Sequence, residues 1–189
     1  MSAIPVFEIS IWNAWIFMLI NFLPMLIIMR VRKGVTGEVM KQYSEANKAV
    51  SYIEWILWIL AVVYSVFLPL RLDSMWFYVG LPIALVGTVT YIMVIVSFVT
   101  TPLGEKPVTT GLYRYSRHPM YVTQLVMFIG VGIASASWLF LLLTIVYQAL
   151  GFTFAGSEER ICLEKYGDAY REYMKTTPRW LGLPKSKTK

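Results

Sequence analysis

Residues 120–154 read MYVTQLVMFIGVGIASASWLFLLLTIVYQALGFTF, 35 consecutive positions without a charge. As one helix this run would extend about 52 Å at 1.5 Å per residue, well beyond the roughly 30 Å of a bilayer's hydrocarbon core. It must break, and the small and polar residues Gly130-Val-Gly132-Ile-Ala-Ser-Ala-Ser137 mark the place. The reading is a hairpin of two helices, about 119–133 and 138–154, each barely long enough to cross. Gly151 and Ala155, four apart, offer a small face for close helix contact.

Three further apolar runs precede the hairpin. Ile9–Met29 is free of charge, interrupted by Asn13, Asn21 and Pro24, and its polar groups are expected to face other helices. Ile53–Leu70 follows with Glu54 near its start, and Met75–Val99 follows after the turn Arg71-Leu-Asp73-Ser. Trp12, Trp15, Trp55, Trp58 and Trp76 read as interface anchors. The charged stretch Arg30–Lys48 reads as a loop with a short interfacial helix around Lys41–Glu45. The fold class expected is an all-α membrane protein in one domain, with five transmembrane helices and a C-terminal helical segment. Sixteen of the 17 Lys and Arg residues fall on one set of alternate faces. By the positive-inside rule that face is cytoplasmic and the N-terminus is outside.

A composition 57% hydrophobic and 15% charged lies outside the soluble range. The net charge of +6 sits beside apolar spans and suits an anionic membrane face. No basic helix is interleaved with aromatics, so nucleic acid is not an expected partner. One cysteine, Cys162, excludes an internal disulfide, and with a single histidine it makes a metal cluster an unexpected feature. No Lys or Arg precedes the first apolar run, so a cleaved signal peptide is not expected.

Two polar clusters flank the hairpin. The connector Lys106–Tyr121 holds Gly111, Tyr113, Arg117, His118 and Pro119, and Ser157-Glu158-Glu159-Arg160 follows the last apolar run. Gly111 permits positive φ and close approach of a ligand to the backbone. Pro119 suits the first turn of a helix, whose free N–H groups, with Arg117 and His118, would favour an anion. Tyr113, Tyr115 and Tyr121 offer flat faces to a ring or a cation. Ser157 reads as the N-cap of a new helix with Glu158 and Glu159 in its first turn. Gly167-Asp168 reads as the end of that helix and the cap of the next. Cys162, Tyr166, Ala169, Tyr170 and Tyr173 form a stripe at helical spacing, read as packing. Arg117 reads equally as a headgroup contact, and Arg179 more readily as surface charge than as a site residue.

The residues Gly111-Leu-Tyr-Arg-Tyr-Ser-Arg-His-Pro-Met-Tyr121, then Glu158-Glu159, then Tyr166-Gly-Asp-Ala-Tyr-Arg-Glu-Tyr173, resemble the isoprenylcysteine carboxyl methyltransferase family. Phospholipid N-methyltransferases belong to the same broad group. The resemblance covers roughly Lys106–Arg179 and implies an S-adenosylmethionine site on the cytoplasmic face, built from 106–121 and 157–179. It implies that Val108, Gly111, Tyr113, His118, Pro119, Met120 and Tyr121 line the cofactor pocket and that Glu158 holds its positive end. A lipophilic small molecule or lipid would enter from the bilayer. Glu159, His118 and Arg117 are the candidate catalytic residues, with Glu159 or His118 as base if the acceptor needs one. The prenylcysteine enzymes carry an arginine one helical turn before the acidic pair, where this chain has Phe154, so the resemblance supports the cofactor more than that substrate. The alternatives are an NADPH-dependent reductase of sterol-reductase type, which shares a related Arg-His motif, and a non-catalytic membrane adaptor.

Overall fold

The computed structural model describes residues 8–31, 48–102 and 106–184. The proposed interfacial helix around Lys41–Glu45 and the final lysines lie outside the described residues. The chain forms α1 (Trp15–Val31), α2 (Lys48–Val66), α3 (Met75–Thr100), α4 (Pro119–Ala134), α5 (Trp138–Tyr166) and α6 (Asp168–Thr176). A single 3-10 turn, Gly111–Arg114, lies between α3 and α4. Among the described residues there is no strand, only one isolated bridge between Asn13 and Pro69. Helices α2, α3 and α5 are long and apolar enough to cross a membrane, while α1 and α4 are shorter apolar helices.

The central seam is α3 against α4, and glycine sets its distance. A Cβ on Gly80 would fall 2.2 Å from the Ala134 nitrogen, and one on Gly130 would fall 2.1 Å from the Ala84 nitrogen. The two backbones therefore touch directly, as small residues allow between apolar helices. Phe128, Val131 and Met127 of α4 then meet Phe140 of α5, Tyr64 and Ala61 of α2, and Phe17 of α1 in one buried cluster. The opposite faces, such as Ile56 and Ile59 of α2 and Val86 and Val89 of α3, are exposed and apolar, as lipid-facing surfaces are.

The hairpin breaks where expected. Helix α4 ends at Ala134, Ala136 takes φ 53°, and Ser137 caps α5 by accepting from the Phe140 N–H. The Ser137 hydroxyl also bonds the Tyr64 hydroxyl at 3.0 Å, which fixes the turn against α2.

Three boundaries differ from the sequence expectation. Helix α1 starts at Trp15 rather than Ile9 and runs through Pro24. The Asn13 side-chain amide donates to the carbonyls of Glu8 at 2.6 Å and Val66 at 2.7 Å, satisfying an orphan carbonyl at the end of α2. Helix α2 accordingly stops at Val66, and Leu68 and Leu70 pair with the chain around Trp12–Ala14. The third difference concerns α5. It does not stop at Phe154 and restart at Ser157, but continues unbroken to Tyr166. Ser157 is therefore no cap, and Glu158 and Glu159 are not first-turn residues. Gly151 packs closely, as the small face it shares with Ala155 suggested: a Cβ there would lie 3.1 Å from the Tyr121 ring and 3.2 Å from the Glu54 carboxylate. Gly167, at φ 52°, ends the helix, and Asp168 opens α6 as its first residue rather than its cap.

Candidate active site

The connector is built in three steps. Gly111 takes φ +59°, and a Cβ there would come 2.5 Å from the Ser97 hydroxyl, so the 3-10 turn lies on the end of α3. The Tyr173 hydroxyl of α6 then donates to the carbonyls of Tyr113 at 2.6 Å and Ser116 at 3.3 Å. Pro119 opens α4, leaving His118 at its N-cap.

The segment after α6 lies along this connector. The backbone N–H groups of Arg117 and His118 donate to the carbonyls of Pro178 and Arg179, and the Gly182 N–H donates to the Tyr115 carbonyl. The Ser116 hydroxyl donates to the Arg179 carbonyl at 3.2 Å. That pairing brings Arg179 and Trp180 over His118.

Because α5 continues past the hairpin, it carries the acidic pair to the same place. His118 Nδ1 lies 2.9 Å from the Glu158 carboxylate and Nε2 lies 3.2 Å from that of Glu159. The Tyr121 hydroxyl donates to Glu158 at 2.9 Å. Arg179 grips Glu159 through two nitrogens, and Arg117 Nη2 lies 3.1 Å from the same carboxylate. The His118 ring lies 5.6 Å from Trp180 and 6.0 Å from Tyr121, and Phe152 lies 4.5 Å from Trp180.

The two glutamates are driven apart electrostatically. Burial, then the charge of Glu159, pushes Glu158 up to about 8. Burial also acts to raise Glu159. The hydrogen bonds from His118 and Arg179 and the charges of Arg117 and Arg179 outweigh it and hold Glu159 at about 2. A neutral imidazole carries one N–H, yet both ring nitrogens face a carboxyl group. The arrangement needs one more proton, and burial favours keeping it on Glu158. One atom is left over: Arg117 Nε is buried without a partner among the described residues.

Of the residues singled out from sequence, Arg117, His118, Tyr121, Glu158 and Glu159 meet in this cluster. Pro119 is buried at the helix start beside it. Tyr113 is buried beneath Tyr173, and Met120 packs against the Ile28–Tyr91–Ile95 cluster. Gly111 lies against Ser97 of α3, and Val108 is half-buried. Tyr170 and Tyr173 are buried and pack against one another, as the stripe suggested. Three residues were passed over or underweighted: Arg179, Trp180 and Glu54. An Arg-Trp pair directly after Pro178 was the available signal for the first two.

Among the described residues no group of His, Cys, Asp and Glu is placed to hold a metal. A family model described as phospholipid methyltransferase matches residues 74–169, slightly more than half of the chain. The match takes in the connector and the acidic pair and ends before Arg179. No curated protein matches the chain.

Proposed function

The chain belongs to the phospholipid methyltransferase family, and from that premise we propose that it moves the methyl group of S-adenosylmethionine to a lipophilic acceptor in the membrane. The observation that carries this reading is the meeting of Arg117, His118, Tyr121, Glu158 and Glu159 under the Arg179-Trp180 segment. Their chemistry fits the cofactor. A carboxyl group among the faces of Tyr121, Phe152 and Trp180 suits a sulfonium. The buried, unpartnered Arg117 Nε suits a carboxylate.

When bound, S-adenosylmethionine supplies a methyl group already activated on sulfur. The residues of this chain have the remaining tasks. Glu158 sheds its proton to meet the positive end of the ligand. Glu159, held ionised by two arginines, orients the His118 ring from its other side. Trp180 and Phe152 exclude water, and positioning supplies most of the rate. Val108, Gly111, Tyr113, Pro119 and Met120 are assigned to shaping the pocket wall. We place five helices across the bilayer, with the N-terminus outside and this cluster at the cytoplasmic face. Nearly all Lys and Arg lie on that side.

Calorimetry on the purified protein tests the proposal. Wild type is expected to bind S-adenosylmethionine, with affinity lowered about tenfold or more in Glu158→Gln and in His118→Ala. No binding by wild type, or equal binding by both variants, would end it.

A further inference from the structure

Between the connector and α6 lies an open cleft of about 370 Å³ that the site above does not use. Lys106, Thr109 and Arg114 line it from the connector, Glu172 and Thr177 from α6 and its end, and Pro184 from the segment that follows. None of the residues lining it belongs to the cluster around His118. Glu172 is its one carboxylate, and Lys175 offsets that charge at 2.6 Å. Among the described residues Lys106 and Arg114 have no acidic partner, so the cleft carries two uncompensated cations. An ammonium, a guanidinium and the Thr109 hydroxyl are donors suited to a phosphate. The one aromatic residue of the lining, Tyr173, is buried and gives its hydroxyl to the Tyr113 and Ser116 carbonyls, so it is poorly placed to stack on a nucleobase.

A second observation decides between a free anion and one carried by a lipid. Leu181 and Leu183 flank Gly182, whose N–H donates to the Tyr115 carbonyl at 3.0 Å. The backbone there is held, yet the two leucines are 73% and 83% exposed and Tyr115 is 39% exposed. Pro184, the next residue, is part of the cleft wall. The connector joins the end of α3 to the start of α4, so this apolar edge lies where a bilayer around the bundle would begin. Lys185, Lys187 and Lys189 follow at once in the sequence. Apolar side chains bordered by cations make a surface that an anionic leaflet covers.

We propose that the cleft binds the phosphate headgroup of an anionic membrane lipid, with Lys106 and Arg114 on the phosphate and Leu181 and Leu183 in the acyl layer beside it. This lipid is a bound partner and not the methyl acceptor, since no residue of the reaction cluster lines the cleft. The inference goes beyond the methyltransferase reading and does not depend on it. A bound headgroup bridges the connector, α6 and the segment carrying Arg179 and Trp180, and so ties together three pieces of chain that meet beside His118.

Scanning fluorimetry on the full-length protein in a neutral detergent tests the proposal without S-adenosylmethionine. The probes are dioctanoylphosphatidylglycerol, dioctanoylphosphatidylcholine and inorganic phosphate. Phosphatidylglycerol is expected to raise the thermal midpoint by several degrees, and the other two by less than about one degree. The double variant Lys106→Glu, Arg114→Glu should lose that shift, whereas Lys106→Arg should keep it. Both side chains are exposed, so without lipid the midpoint should move by no more than about 2 degrees. If it falls further, Lys106→Gln with Arg114→Gln takes its place. Leu181→Ser with Leu183→Ser changes no charge and should weaken phosphatidylglycerol severalfold. A shift of equal size from phosphatidylcholine, or an undiminished phosphatidylglycerol shift in the charge or leucine double variants, overturns the proposal. So does a shift from inorganic phosphate as large as that from the lipid, which would make the cleft a site for free anions. Because no methyl donor enters the assay, failure of the methyltransferase reading leaves these outcomes standing.

Discussion

His118 stands between two carboxyl groups with one ring, and the pair therefore shares a proton budget set by burial. Between about pH 4.5 and 8 the folded chain keeps a proton on Glu158 that the unfolded chain releases. This contribution to stability is complete below pH 4.5 and is lost as pH rises towards 8. Glu159 has the opposite sign: its contribution is present above pH 4.5 and is lost as pH falls towards 2. The thermal midpoint in detergent is thus expected to fall by several degrees from about pH 5 to 8. Glu158→Gln should flatten that slope while leaving the acid limb in place. Scanning fluorimetry across this range checks it, and an unchanged slope in the variant would assign the proton elsewhere. A cationic ligand that needs Glu158 ionised should for the same reason bind more tightly at pH 9 than at pH 6.

Among the elements, the α3–α4 seam is the least tolerant of change. A methyl group on Gly130 would occupy the space of the Ala84 backbone, which cannot step aside as a side chain can. Gly130→Ala should cost about 1–3 kcal/mol and Gly130→Val more, read as loss of thermal stability with S-adenosylmethionine affinity falling only as the fold does. Sequence reading found most of these helices because apolar runs, bounded by charges, report length directly. The hairpin turn was legible in Gly130–Ser137, where several helix-disfavouring residues coincide. The continuity of α5 was not, because Ser157 followed by Glu158 and Glu159 carries the signal of a helix start, while the helix runs straight through it. The course of Ile9–Asn13 was hidden for another reason: its bonds go to Val66 and Leu70, more than fifty residues away. Half of the candidate site was legible in the Arg117–Tyr121 and Glu158–Glu159 motifs. The other half, Arg179 and Trp180, lies on a segment without helical period and is placed only by its backbone bonds to the connector.

At the scale of the whole molecule, the apolar exterior, the glycine seam and the polar cluster form one assembly, with lipid as the solvent of its outer faces. Helix α5 runs through all of it. Its 29 residues span about 43 Å, from the Ser137 cap to Gly167, and the charges on it begin only at Glu158. On the proposed reading, the host bilayer should act on this cluster as a mechanical load. A thicker or thinner hydrocarbon slab must tilt or shift that rod, and the acidic pair moves with it while His118 stays with α4. Turnover in vesicles of saturation-matched phosphatidylcholine should pass through a maximum as chain length goes from about 14 to 22 carbons, with the protein folded throughout. A flat profile would mean that the rod is decoupled from its surroundings. A maximum, by contrast, would make bilayer thickness the gauge that sets the rate.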